Sequence, residues 1–283
     1  MLLIDFNQVV ISNFMVQTGS HASMPLDEDL LRHMILNTIR LNRNKFSDKY
    51  GELVICCDSK KYWRRDMFPY YKASRKKDRE KSDVDWSTMF NTLTKVREEL
   101  QETFPYTTLH IEGTEADDII GTLVHAYHAR EDNILILSSD KDFMQLQKYK
   151  NVKQYSPIHK KFIRTADPER YLKEHIIKGD RGDGIPNIAS PDSVFVSSGR
   201  QKPVRKKLIE SILDGNNINL ETEELQRNWN RNKMLVDLSM IPDDIKDTII
   251  NKYESYEHND RSKLFNYFVK NKLKNLMENM SEF

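Results

Sequence analysis

The segment "NILILSSDKDF", residues 133–143, decides the fold, because a short apolar run ends directly in serines and aspartates. Residues 134–137 predict a buried strand. Asp140 and Asp142 lie one residue apart, so on extended backbone their side chains point the same way and their charges repel unless a cation lies between them. Taken alone, the segment is equally consistent with a polar turn that caps a helix.

Three further segments repeat this pattern of an apolar run followed by an acid. They predict strands at "LLIDF" (2–6), "ELVICCDS" (52–59) and "YTTLHIEG" (106–113). Helical periodicity separates the strands at 27–43 and 86–103, and a helix is predicted over 114–127 with Thr114 as its cap. Strands that alternate with helices predict an α/β fold with a mostly parallel sheet.

Carboxylates follow all four predicted strands. In an open parallel sheet the ligand crevice lies beyond the carboxyl ends of the strands, so we expect these acids to converge at one edge. So many like charges need metal ions to neutralise them, and an all-oxygen ligand set suits Mg²⁺ or Mn²⁺ rather than zinc. The seven acids are Asp5, Asp58, Glu115, Asp117, Asp118, Asp140 and Asp142.

The composition describes a soluble globular chain of 283 residues, 38% hydrophobic and 31% charged, with a net charge of +1. The sequence contains no apolar run of the length of a membrane helix and no signal peptide, so we expect a cytoplasmic protein. Cys56 and Cys57 are adjacent in a predicted strand, and neighbours on a strand face opposite sides. We therefore expect both to be reduced thiols.

A basic stretch, "KKYWRRDMFPYYKASRKKDREK" (60–81), begins two residues after Asp58 and holds ten Lys/Arg against three acids. Its five aromatics are interleaved with the cations, a pattern typical of phosphate contacts combined with base stacking. Trp63 and Phe68 are expected to pack in the core. The cations are expected to clamp a phosphate backbone.

A glycine-rich loop, "KGDRGDGIPNI" (178–188), adds Asp180 and Asp183, and its backbone N–H groups are expected to approach phosphates. The segment that follows, "RQKPVRKKLIESIL" (200–213), predicts an amphipathic helix with Pro203 near its first turn. A helix–loop–helix with basic flanks can hold a duplex backbone without reading its sequence.

Five motifs in order, "LLIDF", "VICCDS", "TEADD", "SSDKDF" and "KGDRGDGIP", give the chain a resemblance to the 5′ nucleases and flap endonucleases of phages and bacteria. The resemblance implies a PIN-like nuclease domain over 1–167 with a basic arch at about 60–85. It implies a smaller helical domain over 168–283 that contains a helix-three-turn-helix duplex-binding module.

The resemblance also assigns roles to single residues. Arg64 and Lys72 would touch the scissile phosphate and act with five of the aspartates in catalysis, and Tyr71 would stack on the terminal base. Around the first of two Mg²⁺ ions, for which Mn²⁺ would substitute, it places Asp5, Asp58, Glu115, Asp117, Asp118 and Asp140. The second ion would be held by Asp142, Asp180 and Asp183. Further nucleic-acid contacts would come from Arg75, Lys178, Gly182, Gly184, Lys202, Arg205 and Lys206.

In function, the resemblance implies a 5′ to 3′ exonuclease and flap endonuclease that removes RNA primers and adjacent DNA during lagging-strand replication. Its substrates would be RNA–DNA and DNA duplexes with 5′ ends, flaps or forks. The chain would act as a monomer, in the host cytoplasm if it is viral. A single-stranded-DNA-binding protein would dock on the C-terminal domain, whose helices are predicted at 243–256 and 262–276.

Two departures from the family pattern stand out. The usual Gly-Ile-Gly-Lys-type phosphate hairpin is replaced by "ASPDSVFVSSGRQ" (189–201), so the duplex contacts after Ile188 are not defined. Only four residues precede Asp5, which leaves no N-terminal peptide of the kind that relatives use to dock a sliding clamp.

Two other classes of function stay open from the residues alone. A small-molecule phosphatase would use Asp5 as nucleophile, but such enzymes usually carry a second aspartate two residues on, where this chain has Asn7. The second class is a catalytically silent, structure-specific DNA-binding protein. All nine candidate metal carboxylates are present, so a loss of activity would need a defect elsewhere.

Overall fold

The computed structural model describes residues 1–18, 26–197, 199–215, 220 and 222–283. Its centre is a six-stranded sheet in the order β3-β2-β1-β4-β5-β6. The strands are β1 (Leu2–Asp5), β2 (Leu53–Cys57), β3 (Thr107–His110), β4 (Ile134–Leu137), β5 (Val152–Ser156) and β6 (Lys161–Ile163). All neighbours are parallel except the last pair, β5 and β6. The predicted mostly parallel sheet flanked by helices is confirmed.

Helices cover both faces of the sheet, which explains why β1, β2 and β4 are buried along their whole length. On one face lie α1 (Phe6–Thr18), α2 (Glu28–Tyr50) and α5 (Trp86–Thr103). On the other face lies α6 (Ala116–Tyr127). The basic stretch forms two short helices, α3 (Trp63–Met67) and α4 (Ser74–Glu80), between β2 and α5.

The start of α6 differs from the prediction. Thr114 is not its cap, because the Thr114 hydroxyl donates to the Ile111 carbonyl at 2.9 Å. Glu115 is the N-cap instead and forms a capping box with Asp118, whose carboxylate accepts the Glu115 N–H at 2.9 Å. Two acids of the "TEADD" motif are therefore used to begin the helix.

A third cluster of apolar side chains lies beside the sheet and joins α7 (Pro168–Lys178), α8 (Lys206–Asp214) and α9 (Glu223–Val236). The predicted helix over 200–213 begins later than expected, at Lys206, and Pro203 lies outside it. The segment before α8 is instead bound to the loop after α7. The Lys202 N–H donates to Ser190 Oγ at 2.9 Å, and the Asn187 side chain donates to the Lys202 carbonyl at 2.9 Å.

The C-terminal helices pack against helices that cover the sheet, and their buried side chains join the two apolar clusters on its faces. Helix α10 (Asp243–Glu254) contacts α6, and α11 (Ser262–Lys270) contacts α5. The predicted helix over 262–276 is broken, because Lys272 has a φ of +54° and α12 (Lys274–Met277) begins after it. The division of the chain near residue 167 stays a prediction.

In the described ranges, short 3₁₀ helices lie at Lys141–Lys148, Leu238–Met240 and Met280–Glu282. Among the residues described, no helix combines the length and the apolar character needed to cross a membrane.

Candidate metal centre

The strand order reverses between β1 and β4, which is the position where open parallel sheets bind ligands. Asp5 ends β1, and its carboxylate accepts the Gln8 N–H at 3.2 Å and the Ser138 hydroxyl at 3.0 Å. Asp58 follows β2 and accepts the Ala116 N–H at 2.8 Å. These hydrogen bonds hold both carboxylates at the carboxyl ends of their strands.

Burial and mutual repulsion raise the pKa values of several carboxylates in this cluster. Burial, together with the charges of Asp58 and Asp140, raises the pKa of Asp5 to about 8. Burial and Asp140 likewise raise the pKa of Asp142 to about 8. The pKa of Asp117 is raised well above its usual value by burial, then by Asp140 and Asp5. A cluster of buried carboxylates of this kind fits divalent cations bound through oxygen.

A second group of polar side chains forms between the 3₁₀ helix Lys141–Lys148 and α7. Asp180 lies just after α7 and accepts the Asp183 N–H at 3.0 Å, while its own carbonyl accepts the Ile185 N–H at 2.7 Å. His175 lies between the acids, 3.3 Å from Asp142 and 3.4 Å from Asp180. The hydrogen bond from His175 is the main reason that the pKa of Asp180 falls to about 2.

Glu115 and Asp118 differ from the other acids because buried cations neutralise them. Arg64 Nη1 donates to Asp118 at 2.7 Å and to Glu115 at 3.1 Å, and Arg64 Nε donates to the Leu235 carbonyl at 2.9 Å. Burial would raise the pKa of Glu115, but Lys72 and Arg64 outweigh it and the net shift is downward. With both its oxygens engaged, Asp118 supports the site and does not face it.

Two expectations about the basic stretch need correction. Arg64 is only 2% exposed and all its contacts are internal, so it does not reach a scissile phosphate in this structure. Tyr71, also 2% exposed, lies within hydrogen-bond distance of Glu115 and Asp183 through its hydroxyl, and its ring packs at right angles to that of Tyr62. Because the ring is buried and the Lys72 ammonium lies over it at 4.9 Å, it is not free to stack on a base.

Lys72 is held more tightly than its neighbours. Its φ is +54°, a left-handed conformation that is uncommon outside glycine, and its N–H donates to the Asp183 carbonyl at 2.7 Å. The ammonium pairs with Glu115 and lies 3.5 Å from Asp183. Lys72 therefore joins the carboxylates after β3 to those of the loop after α7.

A cavity of about 370 Å³ lies beside Asp58 and Glu115, between the basic stretch and α5. Its cations are Lys60, Arg65, Lys72, Arg75, Arg79 and Arg97. Arg97 comes from α5, and sequence reasoning missed it because nothing in the local pattern distinguishes a cavity residue from a solvent-facing helix residue. Lys60, Arg65 and Arg79 lay in the predicted basic stretch without an individual role.

Within the glycine-rich loop, the expectation of a phosphate contact is wrong for Gly184 and stays a prediction for the exposed Gly182. The Gly184 N–H donates to the Arg181 carbonyl at 3.2 Å, and Gly184 is buried against Tyr70, so it cannot contact a phosphate. The Gly182 carbonyl accepts from Arg75 at 3.2 Å. By contrast, exposed cations stand on either side of the loop, at Lys178, Lys202, Arg205 and Lys206.

Two family models together cover the chain. Residues 1–176 match the N-terminal resolvase-like domain of 5′-3′ exonucleases, and residues 166–283 match the C-terminal domain of T4 RNase H. The chain belongs to the 5′-3′ exonuclease family. The nuclease class expected from the five motifs is thus confirmed.

Individual relatives agree with this assignment. The chain is 37% identical to the ribonuclease H of Enterobacteria phage T4, over 99% of this chain and 95% of that protein. The likeness of the motifs to the ribonuclease H of T-even phages is confirmed by this match. A 5′-3′ exonuclease of Buchnera aphidicola is 33% identical over 54% of this chain and 53% of its own length.

A solved structure shows the same fold. The bacteriophage T5 flap endonuclease, in a complex with DNA and metal ions, superimposes with a TM-score of 0.65 over 90% of this chain and 98% of that chain. The two sequences are 17% identical, so this likeness supports the architecture alone.

Proposed function

We propose that this chain is a two-metal 5′ nuclease that hydrolyses phosphodiester bonds in RNA–DNA and DNA duplexes with 5′ ends, flaps or forks. The observation that carries the proposal is the cluster of mutually close carboxylates at the strand ends, directly beside a cation-lined cavity. Removal of RNA primers and adjacent DNA in lagging-strand replication is the corresponding biological role.

Two groups of residues would hold the two Mg²⁺ ions, with Mn²⁺ as a substitute. Asp5, Asp58, Asp117 and Asp140 surround the first position. Asp142, Asp180 and Asp183 surround the second. The charge of Asp140 raises the pKa of both Asp5 and Asp142, which supports a position for Asp140 between the two groups. When bound, two such ions supply the positive charge that activates water and stabilises the leaving oxygen.

The chain's own side chains hold this arrangement in place. Arg64 and Lys72 neutralise Glu115 and Asp118, so the net negative charge is confined to the acids that face the crevice. Lys72 also lines the cavity and is the buried cation best placed to add positive charge beside a bound phosphate. Arg64 acts through Glu115 and Asp118 and is a positioning residue.

The nucleic acid is proposed to use two surfaces. A single 5′ strand would enter the cavity, where Lys60, Arg65 and Arg79 meet it. The duplex would lie on the module of α7, α8 and their connecting loop, against Lys178 and the basic segment 202–206. Exposed cations on both surfaces fit phosphate contacts without base readout.

Other proposed associations rest on the family likeness. A single-stranded-DNA-binding protein would dock on the C-terminal helices, where Phe265 and Val269 lie one turn apart on α11 and are each 53% exposed. Monomeric action and residence in the cytoplasm of a host cell are further proposals.

Cleavage of a 5′-labelled flap and of a 5′-labelled RNA–DNA duplex, with Mg²⁺ and with chelator, tests the proposed function. We expect short 5′ products with Mg²⁺ only, and their loss in Asp140→Asn. Hydrolysis of a small phosphate monoester without cleavage of either duplex would favour the phosphatase, and binding without cleavage would favour the silent DNA-binding protein.

A further inference from the structure

The imidazole of His175 occupies the second group of acids, and the sequence motifs gave it no role. Its side chain is 10% exposed, and Nδ1 lies 3.3 Å from Asp142 Oδ1. Nε2 lies 3.4 Å from Asp180 Oδ2. Nδ1 is buried and has no hydrogen-bond partner within the described part of the chain.

A neutral imidazole has one N–H and one lone pair. Nε2 lies 3.4 Å from Asp180 Oδ2 and is placed to donate its N–H to that carboxylate. Nδ1 then directs its lone pair at a carboxylate oxygen of Asp142. Two acceptors 3.3 Å apart in a buried site are unfavourable unless a cation lies between them.

The distances are those of two ligands on one ion. Neighbouring ligands with bonds of about 2.1–2.3 Å at right angles are separated by roughly 3.0–3.3 Å. One ligand atom from each of Asp142, His175 and Asp180 can be chosen so that all lie within 4.8 Å of one another. Asp142 and His175 Nδ1 are therefore close enough to share a single cation, with Asp180 beside the other nitrogen of the ring.

We propose that His175 Nδ1 is a direct ligand of the second metal ion, beside Asp142, and that Asp180 orients the imidazole through Nε2–H. This inference rests on the proposed function, because it refines the second of its two metal sites. Carboxylate–histidine–metal arrangements of this kind fix the ring and the tautomer. The alternative is an imidazolium that bridges two carboxylates and binds no metal.

A nitrogen ligand changes which ion the site prefers. Mg²⁺ favours oxygen ligands, whereas transition metals accept imidazole readily. The second site should consequently bind Mn²⁺ in preference to Mg²⁺. The first site has only carboxylates among its proposed ligands and should show no such preference.

Pulsed electron paramagnetic resonance of the full chain loaded with Mn²⁺ tests the assignment. We expect ¹⁴N modulation from a directly bound imidazole, converted to the ¹⁵N pattern when the protein carries ¹⁵N-histidine. His175→Gln should abolish the nitrogen signal and weaken Mn²⁺ binding at one site by about tenfold or more. Mg²⁺ binding should change by much less.

His128→Gln is the matched control, because His128 stacks on Tyr149 at 3.7 Å, away from the carboxylates, and its loss should leave the signal intact. Absence of nitrogen modulation in the wild-type protein, or its persistence in His175→Gln, overturns the inference. Flap cleavage is measured on the same samples. If cleavage is present and the nitrogen signal is absent, only the ligand assignment fails; if cleavage itself is absent, the proposed function fails.

Discussion

Replacement of Arg64 by methionine should destabilise the protein severely, because it removes the cation that two buried acids share. Glu115 is 2% and Asp118 0% exposed, and Arg64 Nη1 reaches them at 3.1 and 2.7 Å. Glu115 keeps Lys72 and Tyr71 as partners, but Asp118 loses its one salt bridge. Breaking a buried ion pair from one side costs about 3–5 kcal/mol.

At roughly 2 °C per kcal/mol for a chain of this size, the melting temperature should fall by about 6–10 °C. Differential scanning calorimetry on the metal-free protein measures this shift without a contribution from cations at the crevice. Arg65→Met is the matched control, since Arg65 is the next residue on α3 and its side chain is exposed. We expect that control to change stability by less than about 0.5 kcal/mol. Equal, small effects of the two substitutions would refute the assignment of Arg64 as the neutralising cation.

Three further predictions address the carboxylates and the loop. Asp140→Asn should lower the turnover of a flap substrate at least about 100-fold while duplex affinity measured by gel shift stays equal or rises, since a negative charge is removed; a parallel fall in affinity would contradict this. The metal-free protein should lose stability as the pH rises from about 5.5 to 8.5. The pKa values of Asp5 and Asp142 are about 8 in the folded state against 3.8 in the unfolded chain, so the folded state binds protons more tightly. This stabilisation is complete below pH 3.8 and is lost as the pH rises through about 8. Urea unfolding at the two pH values measures this change in the free energy of unfolding, and both added Mg²⁺ and Asp5→Asn should make it smaller. A free energy of unfolding that increases with pH would contradict the prediction. Gly184→Ala should destabilise more than Gly51→Ala in thermal melts, because both glycines have positive φ (+73° and +80°) but only at Gly184 would a Cβ meet backbone, 2.7 Å from the Tyr70 carbonyl oxygen.

Four of the six strands, β1 to β4, were predictable because each belongs to a short, largely apolar run that ends in an acid; β5 (VKQYS) and β6 (KFI) carry polar and charged residues and were not predicted. The predicted strand at 134–137 coincides with β4, and the prediction at 86–103 coincides with α5. Convergence of Asp5, Asp58 and Asp140 followed from one rule, that the carboxyl ends of parallel strands share an edge. Local patterns and the topology they imply were sufficient for this level of the structure.

The sequence could not show which cations of the basic stretch are buried and which are exposed, because burial depends on contacts with residues distant in sequence. Arg64 is buried by its bonds to residues after β3 and to Leu235, 171 positions further on. His175 likewise belongs to the site only because α7 packs against the 3₁₀ helix Lys141–Lys148. The one signal in the sequence was its position five residues before Asp180.

The basic stretch consequently combines two kinds of cation in one segment. Arg64 and Lys72 turn inward and compensate Glu115 and Asp118, whereas Lys60, Arg65 and Arg79 line the cavity. Lys72 and Arg75 belong to both groups, since each lines the cavity and also pairs with an acid of the site.

Charge neutralisation at this site is therefore selective. The inward cations cancel the acids that begin α6, whereas the acids around the crevice repel one another, and this repulsion is relieved by protonation or by bound divalent cations. Because the basic stretch both pairs with the acids and lines the cavity, the proposed path of the nucleic acid and the positions of the carboxylates are linked. A substitution that shifts α3 or Lys72 should disturb nucleic-acid entry and metal binding together, which distinguishes this segment from the exposed cations at 202–206.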